Sequence, residues 1–285
     1  MAGYVGTKAV LLSTTAANVG GDADIGGALD VGGAFTSQGI DDNATSTAMT
    51  LDASGNVGIG VVPSAWNSAF DAVQVGRSTA LWSQNNYDKM WLTTNTYLDT
   101  AGNFKYINSA PVTTYNQTDG THQWSYAASG TAGNTATLTE AMRIDAAGRV
   151  TKPNQPSFRA YRATAGNVTY GSGNIISASM TSTNYNVGGH YNTSNGRFTA
   201  PIAGRYLFWC ALYNNSVVSG RRIRADINGG VGVWGQNQSH SYSDWTTSGI
   251  ADLSAGDYVH MVSAYSDTVV FHDVNHSLWG GYLIG

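Results

Sequence analysis

Glu140 is the only glutamate in this 285-residue chain, and its isolation narrows the fold class more than any motif does. An amphipathic helix needs Glu, Lys and Gln along its wet side, and here such residues are scarce. Charged residues make up 11% of the chain, against about 25% in ordinary soluble domains. Thr, Val, Tyr and Trp suit strands, while the 35 glycines, with Asn, Asp and Ser, suit tight turns. The expected fold is all-β.

Two repeats organise the first half. Residues 19–36 run through Val19-Gly-Gly, Ile25-Gly-Gly and Val31-Gly-Gly, with Ala23, Leu29 and Phe35 each four places after the β-branched residue. A short period of this kind builds a stacked, quasi-one-dimensional element. One ribbon has too little apolar surface to fold alone. Three chains wound together would bury Val19, Ile25, Leu29, Val31 and Phe35 along a common axis. A flexible glycine-rich linker is the alternative, but a linker has no reason to keep apolar residues in register.

The second repeat is Leu51-Asp-Ala-Ser-Gly55-Asn-Val57, Leu98-Asp-Thr-Ala-Gly102-Asn-Phe104 and Ile144-Asp-Ala-Ala-Gly148-Arg-Val150. It predicts hairpins in which Asp opens a type I turn and Gly closes it in the left-handed region. Calcium loops also use Asp-x-x-Gly, but they need further oxygen ligands at fixed spacing, absent here. Between these hairpins Trp66, Trp82, Trp91, Tyr97, Tyr106, Tyr115, Trp124 and Tyr126 mark short strands. Lys152-Pro153-Asn-Gln-Pro156 sets a boundary. The expected order is an attachment segment (1–18), a trimeric β-stem (19–60), a β-rich body (61–152) and a head (153–285).

Beyond Pro156 the strands are cleaner. Residues 205–213 are apolar at every position after Arg205, as in a central strand of a sandwich buried on both sides. In 222–227, Arg222, Arg224 and Asp226 alternate with Ile223, Ala225 and Ile227, which predicts one wet face. Further core strands are expected at 258–264 and 278–284.

Three segments here resemble the C1q/TNF superfamily. They are Gly196-Arg-Phe198-Thr-Ala-Pro201-Ile-Ala-Gly204-Arg-Tyr206-Leu-Phe208, Leu253-Ser-Ala-Gly256-Asp257-Tyr-Val259 and Leu278-Trp-Gly-Gly-Tyr-Leu-Ile284, in family order. The resemblance covers about 156–285 and implies a ten-stranded jelly roll that associates as a trimer. The collagen stalk of animal relatives is absent, so complement-type roles are not implied. Some heads of this kind bind calcium, for which Asp244, Asp252, Asp257, Asp267 and Asp273 are available. The N-terminal part, with its Gly-Gly hexads and Asp-x-x-Gly hairpins, resembles bacteriophage tail-fibre and appendage proteins.

The net charge of -4 disfavours nucleic acid. No nucleophile elbow, HExxH or phosphate loop is present. Cys210, the only cysteine, reads as a buried inert thiol. His272 and His276 are the one cluster that invites a metal, but in a strand they lie about 13 Å apart, so no metal or other cofactor is expected. Ala9–Leu12 is too short for a signal peptide or membrane span. The best binding candidates are Trp234, Gln236, Asn237, His240, Tyr242 and Trp245, where aromatic rings and amides together suit a carbohydrate. The same aromatics would equally fill a trimer interface. The expected protein is a non-enzymatic, homotrimeric virion fibre. Its N-terminus would bind other virion proteins and its head a host-surface polysaccharide or protein. The alternative is a structural decoration or knob fibre contacting other virion proteins.

Overall fold

The structure is a computed structural model. It describes residues 48–285 except 165, 167, 215–220, 232–234, 239–242, 265–268 and 272–276. The proposed stem core, Val19, Ile25, Leu29, Val31 and Phe35, lies outside the described residues. The fold is all-β, and among the described residues the one helical turn is a 3-10 turn at Ile176–Ser179.

Residues 49–151 carry eleven strands: β1 (Met49–Leu51), β2 (Val57–Ile59), β3 (Phe70–Val75), β4 (Thr79–Gln84), β5 (Lys89–Thr94), β6 (Thr96–Leu98), β7 (Phe104–Tyr106), β8 (Val112–Thr118), β9 (Thr121–Ala127), β10 (Thr139–Ile144) and β11 (Val150–Thr151). Nine of them form one sheet in the order β1-β2-β3-β4-β5-β8-β9-β10-β11, and β6-β7 is a separate hairpin. The three Asp-x-x-Gly repeats are the turns of β1-β2, β6-β7 and β10-β11. The first and third therefore make the two edges of the sheet. The hairpin at 49–59, grouped with the stem on sequence, belongs to this body sheet, because β2 pairs in parallel with β3.

The turn chemistry is as the repeat predicts. Asp52 Oδ1 accepts the amides of Ser54 and Asn56 at 2.9 Å, and the Gly55 amide donates to the Asp52 carbonyl at 3.1 Å. Asp99 and Asp145 repeat the arrangement with Ala101 and Asn103, and with Ala147 and Arg149. Gly55, Gly102 and Gly148 have φ of 86°, 82° and 80°, which side chains with a Cβ rarely adopt.

Strand alternation gives the sheet two faces. On one, Phe70, Ala72, Ala80 and Trp82 are buried under Trp66, Leu98 and the β6-β7 hairpin, and Trp82 stacks on Trp91 at 4.2 Å. On the other face, register partners run Leu51–Val57–Val73–Leu81–Leu92–Tyr115–Trp124–Met142 across eight strands. Nothing in the chain's described residues covers the Val73, Leu81 and Leu92 side chains of that row, which are exposed.

Residues 157–283 form a sandwich from β12 (Ser157–Tyr161), β13 (Val168–Tyr170), β14 (Ser182–Val187), β15 (Tyr191–Asn192), β16 (Arg197–Thr199), β17 (Gly204–Asn214), β18 (Arg221–Ile227), β19 (Gly235–Gln238), β20 (Ser243–Leu253), β21 (Tyr258–Ser263), β22 (Val269–Phe271) and β23 (Leu278–Leu283). The front sheet runs β14-β12-β23-β17-β20, with β22 and β13 attached through Asn214, and the back sheet runs β15-β16-β21-β18-β19. Between them Phe158, Phe198, Phe208 and Trp279 are fully buried, with Phe158 stacked 5.1 Å from Phe198 and Phe208 5.3 Å from Trp279.

One expectation changes here. β17 is central, but among its described side chains Tyr206, Phe208, Cys210 and Leu212 are buried, while Leu207, Trp209, Ala211 and Tyr213 are only partly buried. A single chain supplies one covering layer for β17, and a strand apolar on both faces needs two.

Candidate interaction surfaces of the C-terminal sandwich

The segments that carry the family resemblance turn out to be geometric necessities of the core. Gly196 has φ +69°, and a methyl group on it would overlap the backbone of Ser177 and Ala178. That close approach holds the 3-10 turn, whose Ser177 hydroxyl donates to the Gly196 carbonyl at 2.6 Å. Tyr191 fixes the same turn by donating to the carbonyls of Ser177 (2.9 Å) and Met180 (3.0 Å), and burial pushes its phenol well above the usual tyrosine range. Gly256 closes the turn before β21, where Asp257 accepts the Ser254 amide at 2.8 Å and the Asn228 side-chain amide at 2.7 Å. Gly280 and Gly281 leave room for the rings of Trp209 on one side of β23 and Phe208 on the other.

Gly280 therefore positions the main surface feature of the sandwich. Across the outer face of the front sheet the register runs Val187–Ser157–Tyr282–Leu207–Ile250, with Tyr185–Arg159–Gly280–Trp209–Ser248 beside it. Ile250 is 55% exposed and Tyr282 44% exposed in the single chain. Tyr185, Val187, Tyr282 and Ile284 also line a cleft of about 600 Å³ with Val150 and Pro153. The surface is apolar at its centre, with one ion pair, Arg205 to Asp252 (3.2 Å), at its margin.

The outer face of the back sheet is different in kind. Arg224 pairs with the buried carboxylate of Asp226 at 2.6 Å. His260 lies opposite Asp226 in the register and stacks on Tyr258, and Arg197 sits over the Tyr258 ring at 4.2 Å. Burial and, next, the Arg197 charge hold the His260 imidazole below its ordinary value, with Asp226 opposing. Nδ1 of His260 and Nε of Arg197 are buried without a hydrogen-bond partner among the described residues. The alternation at 222–227 predicts a wet face, yet Asp226 is buried, paired with Arg224.

Of the binding candidates, Trp234, His240 and Tyr242 lie outside the described residues. Gln236 and Asn237 fall on β19, at the edge of the back sheet, opposite Ile223 and Arg222. Trp245 falls on β20, at the register position opposite Leu212. The front-sheet surface is not among the candidates that the sequence marks. Its signal is the apolar run at 206–213, which on sequence alone reads as core on both sides.

Cys210 is buried, and burial pushes its thiol up to about 12, which leaves it almost wholly protonated at neutral pH. Among the described residues no group of three or more His, Cys, Asp or Glu converges as metal ligands, and no helix is long and apolar enough to cross a membrane. His272, His276, Asp267 and Asp273 lie outside the described residues.

Residues 160–284 match the model of the C1q domain family. Among solved structures, the globular domain of zebrafish complement 1qA protein is 15% identical over 46% of this chain and 98% of its own, with a TM-score of 0.37. The Eiger TNF of S. frugiperda is 11% identical over 46% and 94%, with a TM-score of 0.38. Rabbit GITRL is 16% identical over 31% and 71%, with a TM-score of 0.25. No curated protein matches the chain.

Proposed function

We propose that the chain, whose residues 160–284 are a C1q/TNF-like domain, is a homotrimeric bacteriophage tail-fibre protein that binds a host-surface glycan or protein through this head. The observation that carries the reading is the outer face of the front sheet. A central strand that is apolar on both sides, with Trp209 seated on Gly280 and Ile250 and Tyr282 exposed, needs a second covering layer. Further copies of the same chain supply one, and C1q/TNF-like domains often form homotrimers. Such domains are typically binding modules, and no catalytic family is indicated for this chain.

The fibre part of the reading is supported by the order of the sequence. The Gly-Gly hexads and the Asp-x-x-Gly hairpins precede the head, as an extended stem and body would. Three heads on one stem give avidity, so each contact with the host can be weak. Trp234, Gln236, Asn237, His240, Tyr242 and Trp245, a set in which aromatic rings and amides together suit a carbohydrate, are the proposed receptor contact.

Light scattering on the full chain, followed by binding to host cells and glycan arrays, tests this. The expected result is a mass of three chains and saturable binding to cells or glycans without release of sugar fragments. A monomeric mass overturns the assembly. Sugar release overturns the non-enzymatic reading. Binding to purified virion proteins but not to cells transfers the protein to the alternative, a structural decoration or knob fibre.

A further inference from the structure

We infer that the open face of the body sheet, in residues 49–151, is a second self-association surface, covered by other copies of this chain. The inference rests on the homotrimer reading and extends it to a part of the chain outside the C1q-like domain. Its basis is a row of register partners with no polar interruption: Val57, Val73, Leu81, Leu92, Tyr115 and Trp124. Leu81 and Leu92 are 47% and 49% exposed in the single chain. The opposite face of the same sheet is already closed by Trp66, Leu98 and the β6-β7 hairpin. A sheet with an apolar face buries it against another layer, and the described residues of one chain offer none.

The charge pattern agrees. The rows flanking this one run Asp71–Ser83–Met90–Gln117–His122–Ile144 and Val75–Thr79–Thr94–Thr113–Tyr126–Thr139. In these three rows Asp71 is the only carboxylate, and there is no Lys or Arg. A solvent-facing sheet surface would carry charge, whereas the buried centre of an interface is depleted of it.

The area is sufficient for a stable interface. Eight strands about 4.8 Å apart make the row about 34 Å long, and three rows span about 14 Å; with side-chain width at the margins the face offers roughly 700 Å² per chain, near the ~800 Å² per partner of a standard stable interface.

The face also continues toward the head. Ile144 pairs with Val150 in the body sheet, and Val150 lines the same cleft as Tyr185, Val187 and Tyr282 of the front-sheet surface. One set of neighbouring copies can therefore cover both surfaces.

Thiol accessibility in the full chain tests the inference. Leu92→Cys and Thr94→Cys place a thiol on the face, and Ser54→Cys places one on an exposed turn as reference. Cys210 is buried and protonated and contributes little background. Iodoacetamide modification is followed by mass spectrometry on samples whose mass is measured by light scattering. The expected result is a trimer in which both face thiols react at least about tenfold more slowly than the turn thiol, with protection lost in denaturant. A trimer whose face thiols react as fast as the reference overturns the inference and leaves the head-mediated assembly standing. A monomer with reactive thiols overturns both. A monomer with protected thiols means that another segment of the same chain covers the face, which also overturns the inference.

Discussion

His260 concentrates the residue-scale energetics of the sandwich. It is buried, its Nδ1 has no partner among the described residues, and Arg197, Asp226 and Tyr258 surround it. Its pKa is lowered on folding, so the unfolded chain takes up a proton before the folded one does. The stability this contributes is present above the ordinary value of 6.5 and is lost as pH falls from there through the depressed folded value. The thermal midpoint of the protein is therefore expected to fall as pH drops below about 6.5, and His260→Leu to flatten that decline, as calorimetry at several pH values would show. Equal pH profiles for the two proteins would remove His260 from the account. None of this could be read from the sequence. The sequence showed an alternating strand with a wet face, and only the fold of Arg224 over Asp226 made that face partly dry.

Elements were more legible than residues, and for a local reason. The Asp-x-x-Gly turns need nothing beyond five consecutive residues to satisfy their own backbone, so three widely separated copies adopt one conformation. Their chemistry also gives a pH dependence of the opposite kind from a buried base. The Asp52 carboxylate is held below the usual range chiefly by the Asn56 side chain, and those of Asp99 and Asp145 chiefly by the Asn103 and Arg149 amides. Depressed carboxylates stabilise the fold above the ordinary aspartate range and lose that contribution as pH falls through their folded values. Acid unfolding of the body below about pH 4 is expected to shift to higher pH in Asp52→Asn and Asp145→Asn, because the neutral amide accepts these hydrogen bonds less strongly. Circular dichroism across the acid range checks this, and unchanged midpoints would mean that the turns form independently of the charge. What local sequence did not reveal is where the hairpins go. The first and third are the edges of a single sheet and the second lies across its face, because pairing partners are chosen by the sheet as a whole.

At the scale of the molecule, both sheets that one chain leaves half-covered point to assembly. Ile250→Asp, at a position 55% exposed in the single chain, is expected to cost the isolated fold under about 0.5 kcal/mol yet disrupt a trimer that buries it. The parent midpoint should rise with protein concentration and the variant's should not, because only association carries a concentration term. Identical, concentration-independent melting of the two would argue against the front-sheet surface as the contact. The all-β class, the hairpin turns and the C1q/TNF-like head were all present in the sequence. Each depends on composition or on contacts close along the chain: few helix formers, Asp and Gly at fixed spacing, and glycines where two backbones or a ring and a backbone must touch. Which face of each strand is left open was decided only by the tertiary structure. The run at 206–213 and the aromatics at 115–126 are apolar whether they meet the core or a neighbouring chain, since burial responds to water and not to which molecule excludes it.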